Sequence, residues 1–220
     1  SRAHYYVGRL NRDLGSSSNA GIIYADREYK ASFNRAGGVD YRFRLRNRWT
    51  VTGQGVTSET RNLSNSTAGE QYCENYALSC SGQAWMQELS YTDLHWNWWT
   101  AYSDTSAGFV TDTGFFQRPD IREPSGKIGY TFRPANGPIL SHGPNLYSER
   151  IWDHNGVPLD FYVNPSYYFS FRHSTNLSVS ADFGQDRMRP IDYSALNHDV
   201  EYHSHSEGLS FNTAPVPYFA

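Results

Sequence analysis

Apolar and polar side chains alternate over long stretches of this chain, most clearly in Val39-Asp40-Tyr41-Arg42-Phe43-Arg44-Leu45-Arg46-Asn47-Arg48. Successive side chains of a β-strand point to opposite faces. Val39, Tyr41, Phe43 and Leu45 therefore share one face, and Asp40, Arg42, Arg44, Arg46 and Arg48 the other. A helix would scatter both sets around its circumference, so the pattern predicts a strand over 38–46. Strands are likewise expected over 3–10, 21–27, 49–60, 84–92, 94–103, 126–133, 146–153, 159–172, 176–185 and 198–211. Turn formers separate them, as in Asn11-Arg12-Asp13-Leu14-Gly15-Ser16-Ser17-Ser18-Asn19, and a polar loop runs from about 61 to 82. In 159–172, Phe161, Val163, Tyr167, Phe169 and Phe171 oppose Tyr162, Asn164, Ser166, Ser170 and Arg172. Such a segment exceeds the usual five or six residues and suits a tilted membrane wall, which needs about 9–11.

The arginine row decides which face is wet. Each Arg on the lipid side at the bilayer midplane costs roughly 2–4 kcal/mol, and four together would cost about as much as a whole domain's stability. The Arg face therefore looks to water, and the Val39 face meets either lipid or a sandwich core. Polar faces rich in Ser, Asn, Gln, Thr and Arg, with Trp and Tyr near strand ends, favour lipid. The expected fold is all-β: an antiparallel, up-and-down transmembrane β-barrel, or a large part of one, as a single domain over 1–220. The alternative is a soluble, secreted β-sandwich that binds glycans through exposed aromatics such as Trp96, Trp98 and Trp99.

Composition narrows the classes. Hydrophobic residues are 38% of the chain and mean hydropathy is -0.67, so no membrane-spanning helix is expected. Aromatics reach 16%, which fits the interfacial girdles of a barrel. A net charge of -3 argues against a general nucleic-acid binder. Cys73 and Cys80 bracket a Ser/Asn-rich stretch and are expected to clip a loop as a disulfide, which implies a non-cytosolic compartment.

Candidate chemistry is sparse. Asp40, Arg42, Arg44 and Arg46, with Glu201, His203 and His205, are candidate lumen-lining residues. Asp199, Glu201, His203, His205 and Glu207 alternate along one strand; imidazoles so spaced hold a transition metal only if another strand adds a ligand, so a polar row is the favoured reading. There is no Ser-His-Asp order, nucleophile elbow or phosphate-cradling loop, so no catalytic residue, cofactor or metal is assigned.

Several short patterns together resemble a known family. They are Tyr6-Val7-Gly8-Arg9, Asp13-Leu14-Gly15, Ser18-Asn19-Ala20-Gly21-Ile22-Ile23-Tyr24 and Gly37-Gly38-Val39-Asp40. Gly114-Phe115-Phe116-Gln117-Arg118-Pro119-Asp120-Ile121-Arg122 is similar to the family's Gly-Phe-x-x-Arg-x-Asp signature. The family comprises bacterial outer-membrane proteins of unknown function with a C-terminal predicted β-barrel, usually preceded by a module similar to family 9 carbohydrate-binding domains. The resemblance implies a fragment of a longer protein in the bacterial outer membrane. It also implies contact with outer-membrane lipid, and with other envelope proteins or glycans as partners. Its signature residues here are Gly114, Phe115, Arg118, Asp120 and Arg122. Of these, Arg118, Asp120 and Arg122 are read as an ion-pair network that fixes a bend at the rim, in preference to a charged plug or lumen-lining cluster. Pro215 and Pro217 make the last residues a poor barrel terminus.

Overall fold

A computed structural model describes residues 2–61, 79–113, 118–193 and 195–213. They form β1 (His4–Asp13), β2 (Asn19–Tyr29), β3 (Ser32–Leu45), β4 (Trp49–Arg61), β5 (Cys80–Thr92), β6 (Trp96–Thr105), β7 (Ile121–Tyr130), β8 (Ile139–Trp152), β9 (Pro158–Phe171), β10 (Thr175–Met188) and β11 (Val200–Asn212). All eleven lie in one antiparallel sheet in chain order. The described residues include no helix.

The all-β, antiparallel, up-and-down arrangement is the one expected. The sheet is open: among the described residues β1 and β11 are its edges and do not pair with each other, so these strands by themselves do not close a barrel. The described strands make one sheet, where the sandwich alternative has two. Eleven is odd, so β1 and β11 run in the same direction.

The strand expected over 38–46 is the second half of the longer β3, which ends at Leu45. Arg46 (φ 49°) and Asn47 (φ 57°) take left-handed conformations and turn the chain into β4. Arg46 is thus a turn residue and leaves the Asp40/Arg42/Arg44 row, because consecutive φ > 0 residues close a tight hairpin whose twist matches its strands. The early halves of β7 and β8 escaped the alternation because Pro124 and Pro144 interrupt it. Proline gives no amide to the ladder, and the β7–β8 pairing steps from Arg122↔Trp152 to Ser125↔Glu149.

Directly opposed residues of an antiparallel pair share a face, so the register sorts the whole sheet. From Asp40 the row runs through Gln54, Met86, Ser103 and Glu123. Farther along, Glu149, Tyr162, Gly184 and Ser204 occupy that same face. We call it the inner face, because residues 106–113, which follow β6, fold across it. The outer face carries Val39, Tyr41, Phe43 and Leu45. In β2–β10 the exposed large apolar residues lie on the outer face, except Met86 on the inner face and Leu140 at the β8 bulge.

The connections 14–18, 46–48, 93–95, 131–138 and 172–174 lie at one end, here called the short-turn end. Those at 30–31, 106–120, 153–157 and 189–199 lie at the other, the long-loop end, which has both the tight 30–31 turn and the long 106–120 and 189–199 segments. The buried apolar set is small: Ala25, Ala36, Cys80, Phe109, Val110 and Leu159.

Candidate functional site

The site is the inner face with the loop that lies on it. Residues 106–113 leave β6 and reach over β5, β4 and β3 to β2. Val110 is fully buried and Phe109 is 6% exposed, deeper than nearly every strand side chain. Their seat is polar. The Asn34 amide donates to Thr60 Oγ1 (2.7 Å) and to the Val110 carbonyl (2.9 Å), and its oxygen accepts from the Asp112 amide at 2.9 Å. This pattern fixes the orientation of the Asn34 amide, since flipping it would set donor against donor and acceptor against acceptor. Ser58 Oγ accepts from the Val110 amide at 3.1 Å, and Arg27 Nε binds Asp112 at 2.5 Å. Gly82 admits the loop: a methyl group there would run into the backbone of Gly108 and Phe109.

A second set of contacts ties three connections at that end of the sheet. Arg189, 7% exposed, grips Asp192 with two nitrogens (2.8 and 3.1 Å) and Asp153 with a third contact of 3.2 Å. Arg118 binds Asp160 at 2.9 Å. His154 bridges Asp120 (2.8 Å) and Asp104 (3.0 Å), and Arg122 lies 3.3 Å from Asp104. Asp120 itself is left-handed, with φ 57°. Arg118, Asp120 and Arg122 thus sit in an ion-pair network at a bend entering β7. Gly114 and Phe115 lie outside the described residues.

The other expected site residues divide. Asp40, Arg42 and Arg44 share the inner face, and Arg9 pairs with Asp40 at 2.7 Å. Glu201, His203 and His205 lie on the outer face, opposed to Arg187, Gln185 and Phe183. They therefore do not line one wall with Arg42: strand parity alone cannot relate the faces of β3 and β11 until every intervening register is known. Their neighbour Asp199 binds Arg187 at 2.9 Å. Among the described residues no group of three or more His, Cys, Asp and Glu side chains is placed to hold a metal ion. Of the expected Cys73–Cys80 bond, Cys73 lies outside the described residues; the Cys80 sulfur is buried 3.4 Å from the Gly108 carbonyl oxygen.

The outer face carries a belt of rings near the short-turn end. Trp49 meets Tyr91 at 4.8 Å and Trp98 at 5.4 Å; Trp96 meets Tyr130 at 4.8 Å. Tyr130 continues to Phe132 (4.7 Å), Phe132 to His142 (5.1 Å) and His142 to Phe169 (5.7 Å). Trp96 and Trp98 belong to this belt, whereas Trp99 is on the inner face.

Asn34, Ser58, Thr60, Asp153, Arg189 and Asp192 were not foreseen. Each is an ordinary polar residue in sequence, and only its burial marks it. No family model, curated protein or solved structure matches the chain.

Proposed function

We propose that this chain forms most of the wall of a non-enzymatic outer-membrane β-barrel, serving transport, anchoring or assembly with an envelope partner. The observation that carries this reading is the segregation of the two faces over most of β2–β10: exposed aliphatic and aromatic groups lie outside, and Ser, Thr, Asn and Gly inside. Charge on the outer face gathers at the long-loop end, as at Asp26, Glu28 and Arg35, and on the edge strand β11 (Glu201, His203, His205) with its neighbour Arg187. Lipid accounts for an apolar face that has no second layer over it. The ring belt sits where a bilayer interface would hold aromatic side chains. Strands of 10–14 residues, tilted by about 45° at ~3.3 Å per residue, span the roughly 25 Å apolar band of such barrels. Exposed surface amounts to 14356 Å², against about 10,000 Å² for a compact soluble protein of 25.1 kDa. The short motifs that resemble the outer-membrane family point the same way.

Closure follows from the edges. β1 and β11 are unpaired on one side among the described residues, and such edges are an aggregation hazard in any setting, most severe in lipid, where backbone groups find no water. Because β1 and β11 run in the same direction, antiparallel closure takes an odd number of further strands, from the same polypeptide or a partner.

Phase partition and gel mobility test the reading. Recovery in the detergent phase with heat-modifiable mobility is expected. Complete release into buffer after low-salt washing would overturn it. A polysaccharide pull-down lost in Trp96→Ala and Trp98→Ala would favour glycan binding instead.

A further inference from the structure

We infer that the inner face binds an anionic single-chain amphiphile of the fatty-carboxylate type, its tail beneath the 106–113 loop and its head at Arg42. Polar and small residues dominate this face, but Ile23, Ala25, Ala36, Val56, Ala84 and Met86 gather on neighbouring strands β2–β5. With Phe109 of the loop they bound a cavity of about 350 Å³. At the ~30 Å³ that one water-sized group occupies, it accommodates a chain of about ten carbons. Phe109 anchors the loop in this patch without filling it, so the patch exceeds what the loop alone needs.

The cavity does not end among apolar groups. Toward the short-turn end it runs into a polar cleft of about 340 Å³, with Ile23, Gln54 and Met86 common to both. The charged residues of that cleft are Arg9, Asp40 and Arg42. Arg9 and Asp40 pair with each other at 2.7 Å, whereas Arg42 enters no ion pair among the described residues. The cleft therefore holds one net positive charge, complementary to a carboxylate. Ala36 and Arg42 are separated along β3 by about 20 Å at ~3.3 Å per residue, a span that an extended chain and an arginine side chain cover together. Apolar cavity, polar cleft and uncompensated cation thus follow one another along a single face. This inference uses the inner face alone and stands whether or not the outer face meets lipid.

Titration calorimetry on the full chain, in buffer or in lipid nanodiscs, with decanoate, octanoate, decanol and acetate as probes, tests it. Saturable one-to-one binding of decanoate is expected, weakening by about fourfold per methylene removed, so that octanoate, two methylenes shorter, binds roughly fifteenfold more weakly. Acetate should not bind measurably. Arg42→Gln should weaken decanoate about tenfold and leave decanol unchanged. Ala84→Phe, which fills the cavity, should abolish both. Ile22→Ser, on the outer face, is the control and should change neither. Equal binding of octanoate and decanoate, indifference to Ala84→Phe, or loss of binding in Ile22→Ser would each overturn the assignment. Detergent partition of the same samples reports separately on the membrane reading.

Discussion

Replacing Asn34 by Ala tests whether the 106–113 loop is held by its polar seat. The substitution deletes three hydrogen bonds: to Thr60 Oγ1, to the Val110 carbonyl and from the Asp112 amide. A net hydrogen bond contributes about 0.5–1.5 kcal/mol, and a buried group left unpaired costs about 1–3 kcal/mol. Thr60 and Val110 are fully buried, so two of the orphaned groups stay dry; Asp112 is more accessible, and water can reach its amide. About 3 kcal/mol of local destabilisation follows, which raises the population of loop-open molecules about a hundredfold at ~1.4 kcal/mol per decade. Native-state hydrogen exchange reads this directly. The Val110 and Asp112 amides should lose about two decades of protection, while amides of β9 and β10, such as Tyr167 and Val179, keep theirs. Asn34→Asp should loosen the loop at least as much, because an acceptor then faces the Val110 carbonyl. A change below threefold at Val110 and Asp112 would refute the reasoning. Equal acceleration in β9 and β10 would show instead that the loop opens only with the whole sheet.

Gly82→Val should also unseat the loop, since its side chain collides with the backbone of Gly108 and Phe109; limited proteolysis at 106–113 should become at least tenfold faster, and unchanged cleavage would contradict the close approach. Arg189→Met leaves Asp153 and Asp192 buried beside a neutral side chain, with an expected loss of about 3–5 kcal/mol in denaturant unfolding. At the 93–95 turn, the Trp96 amide, the Tyr91 hydroxyl and the His95 amide hold the Asp93 carboxyl down to about 2. A carboxyl lowered in the folded state adds stability that is full above its ordinary range near 4 and is lost as pH falls toward 2. Thermal melts of the parent and Asp93→Asn should therefore differ at pH 6 and converge by about pH 2; a constant difference would rule out that ionisation as the cause.

The sequence was most legible where the pattern is local. Val39 to Leu45 alternates without interruption, so its strand and its two faces could be read directly, and the structure keeps both. It failed at Arg46, where alternation continues through a turn whose left-handed backbone leaves no hydropathic mark. The first halves of β7 and β8 were hidden by Pro124 and Pro144, which are tolerated where the ladder omits a bond. The row Glu201, His203 and His205 was correctly placed on one face of its strand. Which face of the sheet that was depended on every register between β3 and β11.

Side-chain alternation depends only on the two-residue period of an extended backbone, so sequence by itself determined the strands, their amphipathic character and the all-β class. Meetings between distant segments depend on strand order, register and the path of connections, which no local period encodes. Asn34 and Val110 are 76 positions apart, and Arg189 and Asp153 are 36 apart. Only the tertiary structure decided that a loop folds onto the inner face, that arginines bury among aspartates at one end, and that β1 and β11 are the edges of the sheet among the described residues.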